Sequence, residues 1–159
     1  MHGLNAIFKH RGKQMDGTIG IQMDAAFVID RTIQANELAD LIDVPEATLR
    51  GWLRLAASCM CPLGKRDGPG RYLSGYESYI LAVLAALHKA NIDVTASRLC
   101  EVFVVCRGER PNAPDLGDRM RLTEKDADGR PTAYVIVELA QVFLEFQAKF
   151  RKWRVENGR

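Results

Sequence analysis

No run of apolar residues in this 159-residue chain approaches the roughly 20 that a helix needs to cross a bilayer. The longest, residues 80–87 and 133–137, are far shorter, so no membrane crossing is expected. Cysteine is sparse: four residues are too few to staple a small secreted domain, and reduced thiols are the expectation. Lys9, His10, Arg11 and Lys13 cluster near the start without the uninterrupted apolar segment of a secretory signal, which makes the cytoplasm the expected compartment. A Gly-rich phosphate loop, a nucleophile elbow and an HExxH helix are all missing. A non-enzymatic protein without a cofactor is therefore expected. Strong net charge is missing too: the formal total is only +2, so any affinity for a polyanion must come from local clustering.

What is present is the composition of a folded globular protein, with 47% hydrophobic and 26% charged residues. The length suits one core with flanking elements rather than two full domains. Positive charge gathers at residues 9–13, at Arg50 with Arg54, at Lys65 and Arg66 with Arg71, and over 149–154.

Residues 1–31 read as an N-terminal arm, Gly-punctuated over 12–20, with one strand-like run at 25–29. From Asn36, a good N-cap residue, Leu38, Leu41 and Ile42 recur at helical spacing and predict a short first helix. Asp43-Val44-Pro45 interrupts it, and Pro45 opens a second helix running to about Leu55. Leu49, Leu53 and Ala56 form the inner stripe of that helix, which turns Thr48, Arg50 and Arg54 outward. Two short helices around a tight turn, the second basic on its outer face, make a helix-turn-helix pattern.

Between 57 and 71 the chain is broken by Pro62, Gly64, Gly68, Pro69 and Gly70, with residues 65–68 suited to a hairpin tip. Ser74 caps a strongly apolar third helix that Asn91 can end, and Leu99, Val102, Phe103 and Cys106 supply the inner face of a fourth. Residues 107–118 read as a linker. Residues 120–123 and 132–137 are then expected to pair across a turn at 126–129, followed by a helix from about 138 to 153. In that helix Leu139, Phe143, Phe146, Phe150 and Trp153 recur at alternating spacings of four and three, a coiled-coil-like seam. The seam reads as a dimerisation surface, with packing onto the neighbouring hairpin as the alternative.

Cys59-Met60-Cys61, Cys100 and Cys106 contain no CxxC pair, and free or buried thiols are expected in place of a metal site. Asp126-Ala127-Asp128-Gly129 starts like a calcium loop but lacks the later ligands, which leaves a charged turn.

Residues 37–55, ELADLIDVPEATLRGWLRL, resemble the opening of the MerR-like winged helix-turn-helix family. Gly70-Arg71-Tyr72 is similar to the family's wing-closing segment, and residues 74–99 to the helix pair after it. The resemblance implies that Arg50, Trp52, Arg71 and Tyr72 occupy positions used for DNA contact, and that a helix after the DNA-binding domain pairs two chains. Gly51 departs from the family, which commonly has an aromatic residue there, Asp43 replaces its usual turn glycine, and the segment corresponding to the wing is longer.

The expectation is thus a mainly α protein: a winged helix-turn-helix domain over 32–106, then a small β-hairpin and a long C-terminal helix over 119–159. Its DNA-binding set is Thr48, Arg50, Trp52, Arg54, Lys65, Arg66, Arg71 and Tyr72, and its partner is double-stranded DNA, bound by a homodimer with the helix at 45–55 in the major groove. The function expected is that of a sequence-specific transcription regulator of bacterial or phage type, and two alternatives stand beside it. One is an interaction module engaging a phage assembly or RNA polymerase; the other is an excisionase-like protein that bends DNA.

Overall fold

The structure, a computed structural model, describes residues 30–107 and 119–159. The expected strand at 25–29 and most of the 107–118 linker lie outside the described residues. Within them the chain is rich in helix, with five helices and two small antiparallel sheets. In order these are β1 (Arg31–Gln34), α1 (Ala35–Leu41), α2 (Glu46–Ser58), β2 (Lys65–Asp67), β3 (Gly70–Ser74), α3 (Gly75–Lys89), α4 (Ala96–Arg107), β4 (Arg119–Lys125), β5 (Pro131–Glu138) and α5 (Leu139–Glu156).

β1 is a strand that the sequence reading placed in the arm and its border. It pairs with β3, Ile33 opposite Leu73 and Gln34 opposite Tyr72, and β3 pairs on its other side with β2, giving the order β1-β3-β2. Because β1 runs directly into α1, the cap of that helix is Gln34 and not Asn36; the Gln34 amide N–H donates to Glu37 Oε2 at 2.9 Å. The turn between α1 and α2 puts Asp43 at φ 56, a left-handed conformation that aspartate tolerates, and Val44 N–H donates to Ala39 O at 3.0 Å. Asn91 likewise takes φ 58 just past α3.

α3 is the central element. Leu81, Val83, Leu84 and Leu87 are buried on different sides of it, as required of a helix covered all round. α1, α2, α4 and α5 supply the cover: Leu38, Leu49, Leu53, Leu99, Val102 and Phe143 belong to one apolar core with it. Its start is fixed by a capping box, in which Ser74 Oγ accepts from Glu77 N–H at 3.1 Å and Glu77 Oε2 accepts from Ser74 N–H at 2.9 Å.

The stripe on α5 corrects the expectation of a dimer seam. Leu139, Phe143, Phe146, Phe150 and Trp153 are all buried within the single chain, where α5 lies against α3 and β4. Phe143 meets Tyr79 of α3 edge-on at 5.3 Å between ring centroids, while Phe146, Phe150 and Trp153 succeed one another along the helix at 5.5 and 5.6 Å. The same periodicity serves either partner, and here an internal helix occupies it. The C-terminal Arg159 then returns to the start of the fold, donating from Nη1 to Thr32 O at 2.8 Å with its guanidinium 5.6 Å from the Trp153 ring.

β4 and β5 form the expected hairpin, with Met120 and Leu122 turned into the core opposite Val137 and Val135. At its tip Asp126 Oδ1 accepts from the N–H groups of Asp128 and Arg130 at 3.0 and 2.8 Å, so this carboxylate closes a turn. Arg98 of α4 pairs with Glu124 and ties the hairpin to the helices. Among the described residues no helix is long and apolar enough to cross a membrane.

Candidate nucleic-acid interface

α2 is amphipathic with a narrow inner stripe: Leu49, Trp52, Leu53 and Ala56 are buried at positions i, i+3, i+4 and i+7. What remains outward along one edge is Glu46, Arg50 and Arg54, spaced four apart and therefore stacked on one face. The β2–β3 hairpin projects beside that edge. Between them lies a cleft of about 540 Å³ that receives Arg50 and Arg54 from the helix and Arg66, Arg71 and Tyr72 from the hairpin.

Several local bonds shape this cleft. Gln34 Nε2 donates to Tyr72 Oη at 2.8 Å, which holds the phenol at the end of β1. Arg71, half-buried, donates from Nη1 to Leu63 O at 3.2 Å and so braces the base of the hairpin while its charge borders the cleft. Gly68 turns the tip at φ 57, a conformation few other residues adopt cheaply. Arg66 lies opposite Arg71 across the strands. Two like charges side by side destabilise a free hairpin, and an anion placed between them relieves the repulsion. Four guanidiniums against the carboxylates of Glu46 and Asp67 leave the cleft with a formal surplus of two positive charges.

Five of the eight residues expected at a DNA surface are thus brought together: Arg50, Arg54, Arg66, Arg71 and Tyr72. Lys65 is exposed on β2 but does not line the cleft, and Thr48 is half-buried outside it. Trp52 is a correction: only 6% of it is exposed, and its ring packs edge-on to His88 at 5.7 Å. Its place in the inner stripe excludes it from any ligand on the outer face. Gln34, Asn36, Glu46 and Asp67 also line the cleft, although the sequence reading assigned none of them to the DNA-binding set. For Glu46 a signal existed, since it stands one helical turn before Arg50, with which it forms an ion pair.

The cysteines make a second, separate cluster. Cys59 at the end of α2, Cys61 after it and Cys100 on α4 are half-buried, with Cys59 Sγ 3.9 Å from Ala96 O. Burial, together with hydrogen bonds to the thiols of Cys59 and Cys61, pushes the Cys100 thiol up to about 11. Among the described residues no group of three or more His, Cys, Asp or Glu side chains has the arrangement to hold a metal ion.

No protein-family model, no curated protein and no solved structure matches this chain.

Proposed function

We propose that this protein is a cytoplasmic, non-enzymatic regulator that binds duplex DNA through a winged helix-turn-helix. On this reading α1 and α2 are the helix pair and β2–β3 is the wing. The first turns of α2 enter the major groove, the wing lies on the flanking backbone, and the phosphate strand between them occupies the cleft. One observation carries the reading. In a chain of nearly balanced charge, four arginines from two separate elements converge on a single concave surface. Guanidinium forks suit phosphate oxygens and guanine edges equally well, which is what a surface spanning groove and backbone requires.

Two chains paired on DNA would have to meet elsewhere than at the α5 stripe, because that stripe is spent on the core. A second reading, an interaction module that docks on a protein such as RNA polymerase, draws on Tyr134 and Ile136, 54% and 59% exposed on β5.

The test is fluorescence anisotropy on labelled duplex at about 50 and about 200 mM salt. Binding should weaken steeply with salt, and Arg54→Ala and Arg66→Ala should each reduce the salt slope by about one. Duplex binding indifferent to salt and to both substitutions would overturn the proposal in favour of the interaction module.

A further inference from the structure

The cleft holds two acids, Asp67 on the hairpin and Glu46 on the helix, where a phosphate-binding surface should have none. Glu46 is the first residue of α2, its side chain is 44% exposed, and it forms an ion pair with Arg50, itself 65% exposed. An exposed pair of this kind contributes little to stability. Facing a polyanion, the carboxylate costs affinity through repulsion. Its position is nevertheless the one from which a recognition helix reaches base edges, since the N-terminal residues of that helix lie deepest in the groove.

The pair presents an ordered row of hydrogen-bonding groups. The Arg50 fork offers two parallel donors, and the Glu46 carboxylate beside it offers an acceptor. A G·C pair shows the complementary row in the major groove: guanine N7 and O6 accept, then the cytosine N4 amino group donates. An A·T pair shows acceptor, donor, acceptor and a methyl group, so the second Arg50 donor would meet a donor and the carboxylate would meet O4. A phosphate would repel Glu46 altogether.

We propose that Glu46 and Arg50 act as one reading unit for a single G·C base pair, Arg50 donating to guanine N7 and O6 while Glu46 accepts from the cytosine amino group. The proposal rests on the duplex-binding reading above and goes beyond it by assigning the base pair and by making an acidic residue its determinant. Arg54, Arg66 and Arg71 then hold the backbone, and Glu46 gives up general affinity for selectivity. Its removal accordingly moves two quantities in opposite directions.

The experiment is selection from a pool of randomised duplexes by the whole protein and by Glu46→Gln, followed by affinities for the selected site with the G·C pair replaced. Thermal melts check that both proteins are folded, which the exposure of Glu46 leads us to expect. The wild type should select one G·C pair and lose about tenfold or more when it is replaced by A·T. Glu46→Gln should bind unselected duplex at least as tightly as the wild type and lose most of that discrimination. If the wild type binds duplex with strong salt dependence but both proteins select the same sites, or neither selects any, the reading unit is overturned while DNA binding stands. If the wild type shows no salt-dependent duplex binding, both fall.

Discussion

The carboxylate of Glu77 receives Arg31 from 46 residues away, Nε on Oε2 at 3.3 Å and Nη2 on Oε1 at 3.0 Å. The same two oxygens accept from Ser74 N–H at 2.9 Å and Gly64 N–H at 3.1 Å. One nearly buried side chain on α3 thereby fastens the start of β1, the entry to the β2–β3 hairpin and the end of β3. Gly64 has φ 72, and a Cβ there would lie 2.8 Å from the carbonyl oxygen of Tyr72. The hairpin can approach Glu77 this closely only with glycine at that position.

Replacing Glu77 should therefore do more than remove an ion pair. Glu77→Ala strips partners from two backbone N–H groups and one guanidinium, and a loss of about 3 kcal/mol is expected from such uncompensated groups. Arg31→Ala leaves the Glu77 carboxylate its two N–H donors, and with the Arg31 side chain 43% exposed the lost pair is partly screened, so this variant should cost less, about 1 kcal/mol. Urea denaturation of the two variants checks the ranking. Equal losses would mean that the Arg31 contact, and not the backbone clamp, is what matters.

Gly51 invites the opposite change. It lies inside α2 with nothing within 4 Å of where a Cβ would stand. Gly51→Ala should stabilise the protein by about 1 kcal/mol, through the helix propensity of alanine and the smaller entropy of its unfolded chain. A raised melting temperature is the readout. A fall would show that the space beside Gly51 is needed by backbone motion or by a neighbour.

How much of this was legible in the sequence depends on the range of the interaction. Local signals held: Ser74 as the cap of α3, Asp43 at the turn between α1 and α2, Asn91 just past the end of α3, and the four-three repeat of α5 all follow from short-range geometry. Periodicity shows that a face is covered and not by what, which is why the α5 stripe read as a dimer seam. Trp52 was misplaced because the resemblance put it on the DNA while its spacing from Leu49, Leu53 and Ala56 put it inside, and the core took precedence. β1 escaped notice because four residues carry little pattern, and their pairing with β3 spans some 40 positions. The arginines of the cleft could be named one by one, and the spacing of Glu46 from Arg50 could have marked that acid too, but that Glu46 shares a cleft with the hairpin follows only from the packing of β2 and β3 beside α2.

With the α5 stripe internal, truncating its centre should damage folding and not association. Phe143 is 1% exposed, and Phe143→Ala should cost about 3–5 kcal/mol. Sedimentation of the folded variant should give the wild-type mass while its denaturation midpoint falls sharply. A change of mass at unchanged stability would contradict the internal packing.

High pH should unfold this protein by way of a buried pair on α3 and α4. Burial pushes the Cys106 thiol from its ordinary 9.0 up to about 12, partly offset by its hydrogen bond with Tyr79. Burial, and then the neighbouring Cys106, also holds the Tyr79 phenol well above its usual 10.0. Both groups keep their protons in the folded state at pH values where the unfolded chain releases them. The unfolded state therefore binds fewer protons, and stability falls as pH rises. The Cys106 contribution is fully present below about pH 9 and is lost between about 9 and 12, at up to about 1.4 kcal/mol per pH unit. Tyr79 adds a second loss that begins near pH 10. Cys106→Ala should lower stability at neutral pH through lost packing, yet lessen its decline between about pH 9 and 10, before Tyr79 contributes, with the Cys100 thiol, also held above its ordinary 9.0, leaving a residual slope. Denaturation midpoints measured across that interval read the effect, and an unchanged slope in the variant would assign the alkaline loss to other groups.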